Sequence, residues 1–334
     1  MFIDVSSVER APRLDVWNAW GQFSQMFTFP LLLFRYHGWD FRSYFLGSIG
    51  GRSVTQMANC LARGQSMLPR YLLDVTLPAL LHKRASKQDG KIAKAMHREQ
   101  KDASPQIVNL NRLKRKIRSL ADKYRTASDW STYTSTCTYN DESEPHKKTL
   151  VREFLQTTRP ATALDLGCNT GDYSYLAAES GARVLAVDAD HDSAEFLYHR
   201  LRKQPADITP VVMDFSKPIP SIGYMYRERP SFIDRVSVDC VLALAVVHHL
   251  HVSGNLPMHC IRDLFASVTR RDLVVEFVPV EDEMFQRLIA LRSESFDDFS
   301  LEEFRRVFSE SFDILQETPI RGSSRTLLCM RKKS

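Results

Sequence analysis

Hydrophobic residues follow two different rhythms along the chain. From about residue 146 onward, short apolar runs alternate with segments whose apolar residues recur every three or four positions. A helix over HKKTLVREFLQ precedes the run ATALDLG, followed by a helix around YSYLAAES, a strand ARVLAVD, a helix SAEFLYHRLRK and a strand ITPVVMD. Next come a strand VDCVLALAVV, a helix CIRDLFASV, a strand DLVVEFV and a helix SLEEFRRVF, for which Ser300 and Glu303 predict a capping box. Two strands, FDILQETPI and RTLLCMRK, close the pattern around a turn at Gly322. Strands alternating with helices predict an α/β fold with a doubly wound, mostly parallel sheet, and the closing hairpin adds an antiparallel edge.

The first part of the chain reads differently. Residues 1–82 are mainly helical in pattern, and Met26 to Phe34 reads as a buried helix or strand edge broken by Pro30. The glycines of LGSIGG (Gly47, Gly50, Gly51) do not fit a phosphate loop and predict a turn between helices. Residues 83–105 form a polar linker. From Gln106 to Tyr124, Ile107, Leu110, Leu113, Ile117 and Leu120 recur at helical spacing, which predicts an amphipathic helix with a basic outer face. The segment ASDWSTYTSTCTYNDESEP predicts a loop, with Trp130, Tyr133 and Tyr139 as a lid or an anchor. The domain division is therefore 1–105, 106–145 and 146–334.

Charge sharpens this division. Between Lys83 and Arg125 stand fourteen Lys or Arg against four Asp or Glu, while the whole chain carries only +5. Such a block fits RNA or an anionic surface, and equally a solvated helix face. No apolar run reaches the roughly 18–20 residues that span a bilayer. The opening MFIDVSSVER lacks the pattern of a secretory signal. Six scattered cysteines without a CxxC pair predict free thiols and a cytoplasmic location.

The candidate chemistry sits at the C-terminal ends of successive strands. Asp165-Leu166-Gly167-Cys168-Asn169-Thr170-Gly171 ends the first strand of the α/β region. A loop that lets a ligand approach its backbone needs glycine, and Asn169 stands where a third glycine would. Asp188 ends the next strand, where a carboxylate can accept from both hydroxyls of a ribose. Asp214 ends the third, where an acid can meet an adenine amino group and Met213 or Phe215 can pack on the ring. Each acid taken singly is a surface carboxylate; three in register make a binding crevice.

DLGCNTG, LAVDAD and VVMDF resemble motifs I, II and III of the class I S-adenosylmethionine-dependent methyltransferases. The resemblance implies a seven-stranded Rossmann-like sheet whose last strand inserts antiparallel between its neighbours. It implies S-adenosyl-L-methionine as cofactor, with Asp165, Gly167, Asn169, Gly171 and Ala245 among the residues lining it. Asp188 would hold the ribose, and Asp214 and Phe215 the adenine. Over most of the chain, FIDVSSVE, GYMYRERPSF, LALAVVHHL and VVEFVP resemble a little-characterised bacterial methyltransferase family that includes nodulation protein NoeA. Members of that family carry a further domain upstream of the first of these stretches, so the chain reads as a short or truncated member.

The acceptor side is less legible. His248 and His249 follow the fourth strand, where an imidazole can take a proton from an attacking hydroxyl, or can simply begin the next helix. Glu276, at the end of the fifth strand, can bind substrate or be a buried acid paired with a base. Tyr224, Tyr226, Arg227 and Arg229 can contact an acceptor or pack on the sheet. His251 and His259 near the HH pair give too few ligands for a metal site, and none is assigned. No NPPY-type tetrapeptide is present. The reading is a methyltransferase acting on an oxygen or nitrogen of a small-molecule or glycan-like acceptor. The alternatives are an RNA methyltransferase using the basic helix and a non-catalytic subunit that binds S-adenosylmethionine.

Overall fold

Seven apolar runs of the α/β region pair into one sheet. In the computed structural model, which describes residues 15, 17, 19–62, 64–85, 102–122 and 142–334, the strands are β1 (Thr162–Leu166), β2 (Arg183–Asp188), β3 (Ile208–Val212), β4 (Val238–Leu244), β5 (Thr269–Phe277), β6 (Phe312–Pro319) and β7 (Thr326–Lys332). Their order is β3-β2-β1-β4-β5-β7-β6. β1 to β5 run parallel, and β7 lies antiparallel between β5 and β6. This is the sheet that the sequence predicts. The order reverses between β1 and β4, so the crevice outside their carboxyl ends is the natural ligand position in an open α/β sheet.

The central strands are apolar on both faces because helices cover both. Along β4 the side chains alternate: Val241 and Ala243 join one core, Cys240, Leu242 and Leu244 the other. The first core is closed by Phe265 and Ile261 of helix Met258–Val268 and by Phe304 and Phe308 of helix Leu301–Phe308, whose rings stack at 4.0 Å. The second is closed by Val151 and Leu155 of helix α4 (Ser143–Thr158) and by Leu176 and Ala177 of α5 (Asp172–Glu179). At the amino end of the sheet, one Asp239 carboxylate oxygen accepts from the backbone of Ala161 and Thr162, which pins the start of β1 against β4. Half of the expected capping box forms: Ser300 accepts from the Glu303 amide, while the Glu303 carboxylate turns to Arg306.

The chain divides into two units, Met1–Arg125 with Ile222–Met225, and Thr126–Ser221 with Tyr226–Ser334. In the first, the run from Met26 to Phe34 is helical, with a π-helical turn over Ser24–Thr28 leading into α1 (Phe29–His37). Another π turn, Leu72–Thr76, leads into α2 (Leu77–Ala85). The expected basic helix is α3 (Ser104–Asp122). Phe29, Leu32, Leu33, Tyr44, Met57, Tyr71, Val75 and Leu120 form the core of this unit. Asp74, buried, takes an ion pair from Arg112 at 3.1 Å and a second from Lys116. The FIDVSSVE stretch and the aromatic segment with Trp130, Tyr133 and Tyr139 lie outside the described residues.

Candidate functional site

The loop after β1 is tied to its neighbours and closed on itself, the Gly171 amide donating to the Cys168 carbonyl at 2.8 Å. The amides of Gly167 and Cys168 both donate to the carbonyl of Val187 on β2, at 2.8 and 3.1 Å. The Asn169 amide donates to the Asp188 carboxylate at 2.8 Å, and the other carboxylate oxygen accepts from the Asp190 amide at 2.8 Å. Three residues of this loop adopt positive φ: Gly167 (67°), Asn169 (47°) and Gly171 (86°). For the glycines the requirement is also one of space. A Cβ on Gly167 would stand 2.7 Å from the Val246 side chain, and one on Gly171 would stand 2.4 Å from Leu197. Asn169 occupies the left-handed region as the non-glycine residue best suited to it.

Two carboxylates flank this loop. Asp165 is buried and accepts the Ser174 hydroxyl at 2.6 Å. Burial pushes its carboxyl up to about 7; the Ser174 hydrogen bond opposes that shift and the charge of Asp188 adds to it. Asp188 is half-buried, and its carboxyl is also raised by desolvation, against the pull of the backbone amides that it accepts. The Met213 amide donates to the Asp188 carbonyl at 2.7 Å, joining the ends of β2 and β3. There Asp214 turns back to accept from the amide and hydroxyl of Ser216 at 2.8 and 2.6 Å.

Phe215 is buried in the core, its ring centroid 6.2 Å from those of Phe232 and Phe265. The reason is apolar complementarity: two buried aromatic rings receive it. Met213 is buried in the same core.

Beyond β4 the chain turns sharply. Ala245 sits at φ 54°, a left-handed conformation that costs an alanine on the order of 1–2 kcal/mol. The turn delivers His248 and His249 into helix α6 (Val247–Val252). His248 is buried, its ring 5.8 Å from Phe285 and 4.2 Å from His249, and its Nδ1 has no hydrogen-bond partner. His249 is half-buried. Desolvation and then the charge of Arg325 hold His249 down to about 4; desolvation, the neighbouring His249 and Arg325 push His248 well below its ordinary value. Both imidazoles are therefore neutral at pH 7. His251 is structural: its Nδ1 meets the Leu256 carbonyl at 2.9 Å and its ring packs on Phe299.

Glu276 does not present a free carboxylate to the crevice. It is completely buried at the end of β5, 2.6 Å from the Lys147 ammonium on one side and 3.2 Å from the Arg325 guanidinium on the other. Arg325 in turn forks onto Asp282 at 2.7 and 3.1 Å. These four residues, two cations and two anions, form a neutral buried cluster that ties α4, β5, the start of β7 and the cap of helix Glu283–Ile289 together. Sequence reading anticipated a paired acid as the alternative for Glu276, but not its partners. Lys147 sits in HKK and Arg325 begins RTLLCMRK, positions that look like surface bases in a one-dimensional pattern. Tyr224 and Tyr226 are exposed, in a tight turn where Met225 and Tyr226 both adopt positive φ.

The site has the features that a nucleoside-bearing cation needs. Among the described residues the buried side-chain Oδ1 of Asn169 has no hydrogen-bond partner, and two carboxylates lie beside the same loop. A ligand with an ammonium group and ribose hydroxyls would supply the missing donors.

A family model described as a methyltransferase domain matches residues 164–268. Nodulation protein NoeA of Rhizobium meliloti (strain 1021) is 31% identical over 329 residues, which cover 98% of this chain and 68% of that protein. Cypemycin N-terminal methyltransferase of a Streptomyces species is 46% identical over 54 residues, 16% of this chain and 21% of its own length. Among solved structures, the N-methyltransferase NodS from Bradyrhizobium japonicum WM9 is similar, with a TM-score of 0.44 and 14% identity over 58% of this chain and 99% of its own.

Proposed function

The chain belongs to the S-adenosylmethionine-dependent methyltransferase family that includes NoeA, and on that premise we propose that its acceptor is a small hydroxylated or aminated molecule of glycan-like character. When bound, S-adenosyl-L-methionine supplies a methyl group on a sulfonium sulfur. Asn169 and Asp165 would hold its amino-acid portion, Asp188 the ribose hydroxyls and Asp214 the adenine amino group. The loop from Gly167 to Gly171 and the turn at Ala245 would bring backbone close to it.

The observation that carries the acceptor reading is the pair of neutral imidazoles just past β4. Glu276, Lys147, Arg325 and Asp282 satisfy one another, so that buried cluster carries no net charge toward an acceptor. His249, the more accessible of the pair, would take the proton released when an oxygen or nitrogen nucleophile gains the methyl. With its pKa held near 4 it is a weak base, so most of the rate must come from positioning. His248 would orient the acceptor or a water through its unpartnered Nδ1.

The test is transfer of labelled methyl to a panel of hydroxylated and aminated sugars, with an RNA oligonucleotide alongside. Label in a sugar, with kcat lowered at least about tenfold in His249→Gln while S-adenosylhomocysteine binding is kept, supports the reading. Label in RNA, lost steeply as salt rises, would replace it with the nucleic-acid reading. Tight cofactor binding without transfer to any of them would point to a cofactor-binding subunit instead.

A further inference from the structure

The helical unit carries exposed apolar and basic side chains. Among the described residues, eleven of the eighteen exposed large apolar side chains lie between Tyr36 and Leu110. Leu73, Leu77, Leu80 and Leu81 are exposed by 53%, 44%, 54% and 54%. They stand at i, i+4, i+7 and i+8 along the Leu72–Thr76 turn and α2, which is the spacing of one helical face. A core-facing stripe would be buried. This one meets water.

α3 repeats the combination in another form. Ile107, Val108 and Leu110 are exposed in its first half, and Lys114, Arg115 and Arg118 in its second. Ile107, Lys114 and Arg118, at i, i+7 and i+11, share one face. No acidic residue occurs from Ser104 to Ala121. Of the five cations in that stretch, Arg112 and Lys116 are engaged by Asp74. The other three have no carboxylate partner among the described residues; Arg115 reaches only the Asn111 carbonyl, at 3.4 Å.

Different partners would satisfy these two sets of side chains to different degrees. A nucleic acid would meet the cations and leave the leucines in water. A protein partner would need apolar and acidic groups matched to both sets. A bilayer surface with anionic headgroups accepts both, aliphatic side chains at the acyl boundary and Lys or Arg among the phosphates. No helix among the described residues is long and apolar enough to cross a membrane, so the contact would be peripheral. We propose that the helical unit docks on an anionic membrane surface through the leucines of α2 and the aliphatic and basic positions of α3. Docking at a surface would restrict the search for acceptors that reside there, but the inference stands on the helical unit alone.

Co-sedimentation of the full chain with vesicles tests it directly. The vesicles are phosphatidylcholine alone or an equal mixture with phosphatidylglycerol, each at low and high salt. Binding to the mixed vesicles only, weakened by salt, is the expected result. The triple substitution Lys114→Ser, Arg115→Ser, Arg118→Ser should weaken it by up to about a hundredfold. Leu77→Ser with Leu80→Ser and Leu81→Ser should weaken it by at least about tenfold. The far-ultraviolet circular dichroism and urea denaturation curve of each variant should match those of wild type, which shows that the helical unit is intact. Failure to bind the mixed vesicles overturns the proposal. So does binding that neither triple variant changes, or retention of an RNA oligonucleotide in place of vesicles.

Discussion

The two units of this chain treat charge in opposite ways. In the α/β unit, Lys147, Glu276, Arg325 and Asp282 are all buried and satisfy one another. In the helical unit a single buried acid, Asp74, gathers two partly exposed cations, and three more point to water. The first arrangement fixes geometry at the end of β5, because a neutral cluster can be dry only if every member stays in place. The second leaves charge exposed to solvent.

That contrast can be broken at its strongest point. Arg325→Met leaves Glu276 with the Lys147 ammonium and strips the guanidinium from Asp282, which keeps only neutral donors in the Met284 amide and the Ser324 hydroxyl; it should cost about 3–5 kcal/mol in urea denaturation. A cost below about 1 kcal/mol would mean that the cluster is hydrated and not structural. Asp74→Ala is the matched test in the helical unit. Arg112 and Lys116 are 30% and 17% exposed, so they can rehydrate, and the expected loss is only about 1–2 kcal/mol. Equal losses at the two sites would erase the distinction.

A smaller effect concerns the neutral histidines. His249 has a folded pKa near 4, below the ordinary 6.5, so the unfolded chain binds the proton more tightly. The resulting stability is fully present above pH 6.5 and is lost as pH falls toward 4. At pH 6 the loss should be about 1 kcal/mol or less for this residue. Denaturation midpoints of wild type and His249→Gln, followed between pH 7 and 4, should converge as pH falls; parallel curves would show that His249 is not held neutral by its surroundings.

Much of this architecture was legible in the sequence, for a physical reason. The sheet strands are short apolar runs between helical periods, and each crevice residue stands at a strand end, so Asp165, Asp188 and Asp214 could be located by counting. Positive φ at Asn169 followed from the glycine spacing around it. The buried cluster was not legible, because its members are separated by up to 178 residues, from Lys147 to Arg325, and meet only when β7 inserts beside β5. The aromatic neighbours of Phe215 were not legible either, because a strand-end aromatic fits an adenine and a core equally well in one dimension, and Phe232 and Phe265 meet it only in the fold.

Asp188, the carboxylate that closes the loop after β1, would belong to an S-adenosylmethionine site. Calorimetric titration of S-adenosylhomocysteine into wild type, Asp188→Asn and Asp188→Ala decides this. Saturable binding by wild type is expected, with a loss of about a hundredfold or more in the alanine variant and the asparagine variant between them. Absence of binding by folded wild type, or equal affinity in all three proteins, would contradict it.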